Sequence, residues 1–195
     1  RTEANKRREL LGIEAVIAKN GPIEAALRTI KRVIPDGDAP VVVGAIEEDA
    51  ADAADLVLVD EDVRLAAVEE ARAAFADEDQ PLLTALTADL VREFGVGTAL
   101  VSFMGKDRQE YTAWTGLSDV FAAPRGTARK DTFCQHIVEA DAPSTLVVPD
   151  AAVHPVFMKY PSVVEGHVRS YAGAPLLGVG GEVLGTLCLF DNRPS

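Results

Sequence analysis

Two apolar stretches near the C-terminus, 168–177 and 182–190, are joined by only Gly178-Val179-Gly180-Gly181. Each has the length of a strand, and a glycine-rich link that short reverses the chain, so the pair predicts an antiparallel hairpin. Alternation in the second stretch puts Leu184, Thr186, Cys188 and Phe190 on one face and Val183, Gly185, Leu187 and Leu189 on the other. Both sets are apolar, so both faces of the sheet must be covered, one by helices and one by the long loops of 116–165. Gly173 and Gly185 fall inside the strands, where glycine is normally costly. That placement implies a bend, or close approach of another backbone or a ligand.

The rest of residues 81–195 supplies the partners of this hairpin. Leu82, Leu83, Leu86, Leu90, Val91 and Phe94 form one apolar helical stripe, stopped by Gly95-Val96-Gly97. Strands are expected at 98–104 and 109–115, joined by the turn Gly105-Lys106-Asp107-Arg108. A loop follows over 116–130. A helix starts near Asp131 or Thr132 and runs through Phe133, Ile137 and Val138, and residues 146–148 make a short strand before Pro149-Asp150. The fold class is α+β: one antiparallel sheet of five to six strands flanked by helices.

Residues 1–80 read differently. Leu10, Ile13 and Ile17 give a helix over 3–18, Asn20-Gly21-Pro22 breaks it, and Ile23, Leu27 and Ile30 mark a second helix over 23–33. Apolar strands at 41–46 and 56–59, a short helix between them and a helix over 63–76 suggest a small β-α-β segment. Asp60-Glu61-Asp62 offers a helix N-cap. Aromatics are absent before Phe75, whereas all three Tyr, the single Trp and six of the seven Phe follow residue 77. Aromatic side chains dominate core area, so the main core is expected in 81–195.

Charge removes several functions. Acids outnumber bases 31 to 19, a net charge of −12. Such a surface repels phosphate backbones and anionic lipid, so neither nucleic acid nor membrane is an expected partner. No apolar run approaches the roughly 18 residues of a membrane span. The charged opening Arg1-Thr2-Glu3 is unlike a signal peptide. Cys134 and Cys188, 54 residues apart, make neither a zinc pattern nor a C-x-x-C redox pair, and so low a count suits a reducing cytoplasm. Both are expected as small buried hydrophobes. No Gly-x-Ser-x-Gly, phosphate-binding loop or metal triad is present.

Three stretches carry a family resemblance. They are Asp131-Thr132-Phe133-Cys134-Gln135-His136-Ile137, then Val147-Val148-Pro149-Asp150-Ala151 with His154-Pro155-Val156-Phe157, then Arg169-Ser170-Tyr171-Ala172-Gly173-Ala174-Pro175-Leu176 with Gly181 and Leu184-Gly185-Thr186-Leu187-Cys188-Leu189-Phe190-Asp191-Asn192-Arg193-Pro194. Their order resembles the GAF domain family over about 82–195. In place of the family's Asp before Pro stands His154, and in place of its Arg before Phe stands Val156. Upstream, 20–76 more loosely resembles half of a response-regulator receiver domain, and 58–68 the opening hairpin of a PAS domain.

The GAF resemblance implies a non-catalytic sensory module of a larger intracellular signalling protein. It would bind a small molecule, or relay conformation, toward an output domain of the same polypeptide such as a histidine kinase, a nucleotide cyclase or a transcription regulator. The pocket is implied on the sheet face beneath 116–165. The residues expected there are Phe103, Trp114, Phe133, Cys134, Ile137, Val148, His154, Phe157, Tyr171 and Cys188. No cofactor or metal is assigned. Haem on His154, bilin on Cys134 and a cyclic nucleotide are lesser readings. Cys134 and His136 stand about 200° apart on a helix, so they do not face each other. Helices 3–18 and 82–94 are expected to pair in a homodimer. The competing readings are an interaction scaffold with a vestigial pocket, and a free methionine sulfoxide reductase with Cys134 as nucleophile and Cys188 as resolver.

Overall fold

The computed structural model describes residues 21–33, 60–74, 80–140 and 143–195. The helix expected over 3–18, the strands at 41–46 and 56–59 and the short helix between them lie outside the described residues. The described elements are α1 (Gly21–Val33), α2 (Glu61–Ala74), α3 (Gln80–Phe94), β1 (Thr98–Met104), β2 (Arg108–Thr115), α4 (Asp119–Ala122), β3 (Gly126–Ala128), α5 (Gln135–Val138), β4 (Leu146–Val148), α6 (Pro161–Val164), β5 (Ser170–Leu177) and β6 (Val183–Asp191), with 3₁₀ turns at Arg129–Asp131 and Phe157–Lys159. The strands form one sheet in the order β3-β2-β1-β6-β5-β4, every pairing antiparallel. The α+β class and the neighbouring strands β5 and β6 are as expected.

The central pair is β1 and β6. Every residue of β1 is buried. Phe103 pairs with Gly185, and a Cβ on Gly185 would lie 2.7 Å from Phe103 Cα and nearer still to the Ser102 carbonyl oxygen. The expected close approach of another backbone is therefore real at Gly185. One detail of the alternation changes. The β5–β6 register slips between Leu176 and Leu177, where Leu184 is the extra residue. A bulge of this kind reverses the side-chain alternation beyond it. Leu184 consequently joins Phe103 and Val68 on the helical face, and Val183 joins Cys188 on the opposite one.

On the helical face, Leu83, Leu86 and Leu90 of α3 and Ala26, Leu27 and Ile30 of α1 bury themselves against Val101, Ala174, Leu176, Leu187 and Leu189. Each full leucine burial contributes about 1.5–3 kcal/mol. The stripe of α3 is thus used inside the fold, with Val91 and Phe94 partly buried against the same cluster. Thr87, fully buried, ties α3 to β2 through a 2.9 Å hydroxyl contact with Thr115. Helices from both sides of the composition change at residues 77–81 share this layer. Residues 61–68 are helical, where the PAS-like reading expected a hairpin; the Asp60 carboxylate accepts the Asp62 N–H at 2.8 Å and starts α2 as a cap.

A buried arginine docks α2. Arg64, 4 % exposed, donates to the carbonyls of Met104 at 2.7 Å and Val183 at 3.2 Å, at the end of β1 and beside the bulge of β6. Its other nitrogens hold both Glu61 oxygens at 2.7 and 2.8 Å, and Arg129 on the opposite face reaches Glu61 at 2.7 Å. The Arg64 hydrogen bond, helped by Arg129, brings the Glu61 carboxyl from its usual 4.5 down to about 2. A depressed carboxyl stabilises the fold above its unfolded pKa, and the contribution is lost as pH falls toward the folded one. Glu61→Gln is expected to cost about 1 kcal/mol at neutral pH, a modest figure because the carboxylate is half-exposed. In urea titrations the gap from the parent chain should close between pH 4.5 and about 2; a gap that widens in acid would contradict the pairing.

Candidate functional site

The other face of the sheet lies under the irregular chain 116–169. A cavity of about 60 Å³ sits between them. Leu100, Gln109, Tyr111, Tyr171 and Cys188 form its floor; Leu117, Phe121, Thr132, Phe133 and Cys134 contribute to its roof. The roof is held by ring stacking. His154, Phe157, Phe133 and Tyr171 form a continuous column with centroid spacings of 4.5, 4.4 and 4.8 Å. Such aromatic contacts add about 0.5–1.5 kcal/mol each beyond their buried area. Gly173 makes the column possible. A Cβ there would lie 2.8 Å from both Tyr171 Cζ and Ile137 Cδ1, so its absence lets the tyrosine lie across the strand.

Within these apolar walls runs a buried polar chain. The Thr186 and Ser102 hydroxyls are 3.2 Å apart, and the Gln109 amide donates to Ser102 Oγ at 2.7 Å and to Cys134 Sγ at 3.0 Å. The Tyr171 hydroxyl meets Cys134 Sγ at 3.1 Å. Burial raises the Cys134 thiol, but hydrogen bonds from its neighbours, Tyr171 and Gln109 among them, outweigh it and hold it below its ordinary value. Cys188, hydrogen-bonded to Cys134 and buried, is held well above its ordinary value. Burial also pushes the Tyr111 phenol up to about 12 and the Tyr171 phenol well above its usual range. Both phenols are therefore neutral at physiological pH, able to donate and accept.

The loop past β4 is closed by ion pairing. Arg169 clasps the Asp150 carboxylate at 2.8 and 2.5 Å, and the Ala152 N–H donates to Asp150 Oδ1 at 3.0 Å. These bonds hold the Asp150 carboxyl below its ordinary value. His154 Nδ1 accepts the N–H groups of Val156 at 3.3 Å and Phe157 at 3.5 Å. The imidazole thereby does the capping that an aspartate before proline would do.

Residues 78–195 match the GAF domain family. The chain belongs to that family. A cyclic di-GMP phosphodiesterase of Pseudomonas aeruginosa, PA2567, is 37 % identical over 102 residues, 52 % of this chain and 16 % of that protein. The chain thus spans less than a fifth of that relative. Among solved structures, the GAF domain region of a Geobacter sulfurreducens protein is 15 % identical with a TM-score of 0.48, covering 60 % of this chain and 78 % of its own. A free methionine-R-sulfoxide reductase from Neisseria meningitidis, solved with its substrate, is 20 % identical with a TM-score of 0.46, covering 69 % and 74 %.

Of the residues expected at the GAF pocket, Phe133, Cys134, Tyr171 and Cys188 line the cavity. Ile137, Val148 and Phe157 are buried in the cluster around it, and Trp114 packs at its margin with Arg125 5.1 Å over its ring. His154 sits at the outer end of the ring column. Phe103 is on the opposite face, against Val68 and Leu184, because odd-numbered residues of β1 face the helices. Cys134 and His136 do diverge: His136 Nε2 meets the Tyr160 hydroxyl at 2.8 Å. Among the described residues no group of three or more His, Cys, Asp or Glu could hold a metal.

Sequence reasoning missed Gln109 and Tyr111. Alternation counted back from Trp114 puts Thr112 and Glu110 on the pocket face, and it is a bulge at Thr112 that turns Tyr111 and Gln109 there instead. Substituting Tyr171 tests the site directly. Tyr171→Phe keeps the stack but removes the hydroxyl, an expected loss of about 1 kcal/mol. Tyr171→Ala also removes the ring, an expected loss of about 3–5 kcal/mol. Equal losses for the two variants in urea unfolding would contradict the stacked column.

Proposed function

We propose that this GAF domain is a non-catalytic sensory module that takes a small molecule into the cavity beneath 116–169. The observation carrying this reading is convergence: the Gln109 amide and the Tyr171 hydroxyl, with two thiols, point into one buried space walled by apolar side chains. Pockets of this kind, apolar with a few placed polar groups, suit small ligands. At about 60 Å³ the space takes a few non-hydrogen atoms. Drug-sized ligands need roughly 300–1,000 Å³, so a nucleotide or tetrapyrrole does not fit this conformation. A wider groove beside the cavity shares Leu117, Phe121 and Phe190 with it, and Phe121 meets His167 edge-on at 5.1 Å across that partition.

The signal would leave through the roof. Arg129 lies four residues before Phe133 and bonds Glu61, which holds Arg64 against the ends of β1 and β6. A ligand that favours one packing of the roof would bias α2 by population shift. In this reading residues 81–195 are the sensor, and the segment before residue 80 relays its state to an output domain of the same cytoplasmic polypeptide, as in two-component signalling. The name of the Pseudomonas relative makes cyclic-dinucleotide hydrolysis one such output. A homodimer would rest on residues 3–18, since the stripe of α3 is buried.

The test is a thermal-shift panel of small polar metabolites and anions on the reduced chain. A binder at one hundred times its dissociation constant should add about 2.7 kcal/mol of stability. Gln109→Leu should abolish that shift, at a cost to the unliganded chain of about 1 kcal/mol for the lost buried hydrogen bonds. A panel without any shift would favour a scaffold whose pocket is vestigial.

A further inference from the structure

Cys134 and Cys188 are the chain's only cysteines, and the fold brings both to one small cavity. The Tyr171 hydroxyl that meets Cys134 Sγ at 3.1 Å lies over Gly173, the residue paired with Cys188 across the β5–β6 ladder. Cys134 stands in the roof at the start of α5, and Cys188 in the floor at the middle of β6. The Tyr171 hydroxyl bonds Cys134 Sγ, and the Gln109 amide donates to the same sulfur at 3.0 Å. A pair of apolar side chains would fill this place without drawing two polar groups into it. The space beside the sulfurs is about 60 Å³, while a single water needs roughly 10–15 Å³, so a molecule of two oxygens fits.

We propose that Cys134 and Cys188 form an intramolecular disulfide when the domain meets a hydroperoxide. The Cys134 sulfur attacks one peroxide oxygen; an S–O bond forms, the O–O bond breaks, and the departing hydroxide leaves as water with the Cys134 proton. The product is a sulfenic acid. The Cys188 sulfur then attacks the Cys134 sulfur; the S–S bond forms, the S–O bond breaks, and the hydroxide leaves as a second water with the Cys188 proton. Two thiols have given up two hydrogens and two electrons, and hydrogen peroxide has become two waters. The hydrogen bonds converging on Cys134 favour its thiolate and make it the attacking sulfur, while Cys188 stays protonated until it resolves the intermediate. The bond ties roof to sheet across the cavity. It needs no bound ligand, so its test is independent of the sensing reading.

The reduced chain is treated with excess hydrogen peroxide, then read by intact mass and by non-reducing peptide mapping. The expected result is a loss of two hydrogens and a peptide linking Cys134 to Cys188, both reversed by dithiothreitol. In Cys188→Ser the loss of two hydrogens should disappear, and dimedone should trap a sulfenic acid on Cys134. Two thiols still free after treatment, a lasting sulfenic or sulfinic acid on Cys134 in the parent chain, or cross-linking between chains would each overturn the proposal. Should Cys188→Ser fail to fold, the linked peptide of the parent chain alone decides.

Discussion

The close approach of β1 and β6 at Gly185 is the constraint on which the rest depends. These two strands are the centre of the sheet, and one of them must lack a Cβ for the Ser102 carbonyl and Phe103 to come as near as they do. With the pair closed, Val101, Leu187 and Leu189 present one apolar surface to α1 and α3, and Leu100 and Cys188 present another to the roof. Both layers of the domain are therefore seated on one strand pair. The bulge at Leu184 finishes the arrangement by turning that side chain toward α2 and setting the Val183 carbonyl within reach of Arg64.

The pocket side is built on different physics. The helical face rests chiefly on aliphatic burial, pinned by the Thr87–Thr115 and Arg64 hydrogen bonds, whereas the roof side mixes ring stacking with a chain of buried hydrogen bonds from Thr186 to Tyr171. Such polar groups are tolerated inside only when each has a partner, and here the partners are one another. The glycine at 173 is as necessary here as the one at 185 is to the strand pair, because Tyr171 occupies the space its side chain would take.

Much of this was legible in the sequence for a physical reason. Strands buried on both faces read as apolar runs, and glycines placed inside them marked the two close approaches. The ring column was foreshadowed by Phe133, Phe157 and Tyr171 in the three stretches that carry the GAF resemblance. What escaped notice is short or irregular. β3 has three residues and hides within the expected loop of 116–130, and a bulge leaves no trace in an alternation made of apolar residues throughout. The helix expected from Asp131 onward is split, because Thr132 is extended and its hydroxyl accepts the Gln135 N–H at 3.2 Å. The convergence of Cys134 and Cys188 on one cavity depends on tertiary fold and could not be read from a spacing of 54.

Sensing of any kind in this cavity requires that the roof open without the sheet. Native-state amide hydrogen exchange resolves such local opening from global unfolding. The account predicts that amides of β1 and β6 exchange only through global unfolding, while those of 116–138 exchange through smaller, local openings. A roof protected to the same degree as β1 would contradict it, since the cover and the sheet would then move only as one.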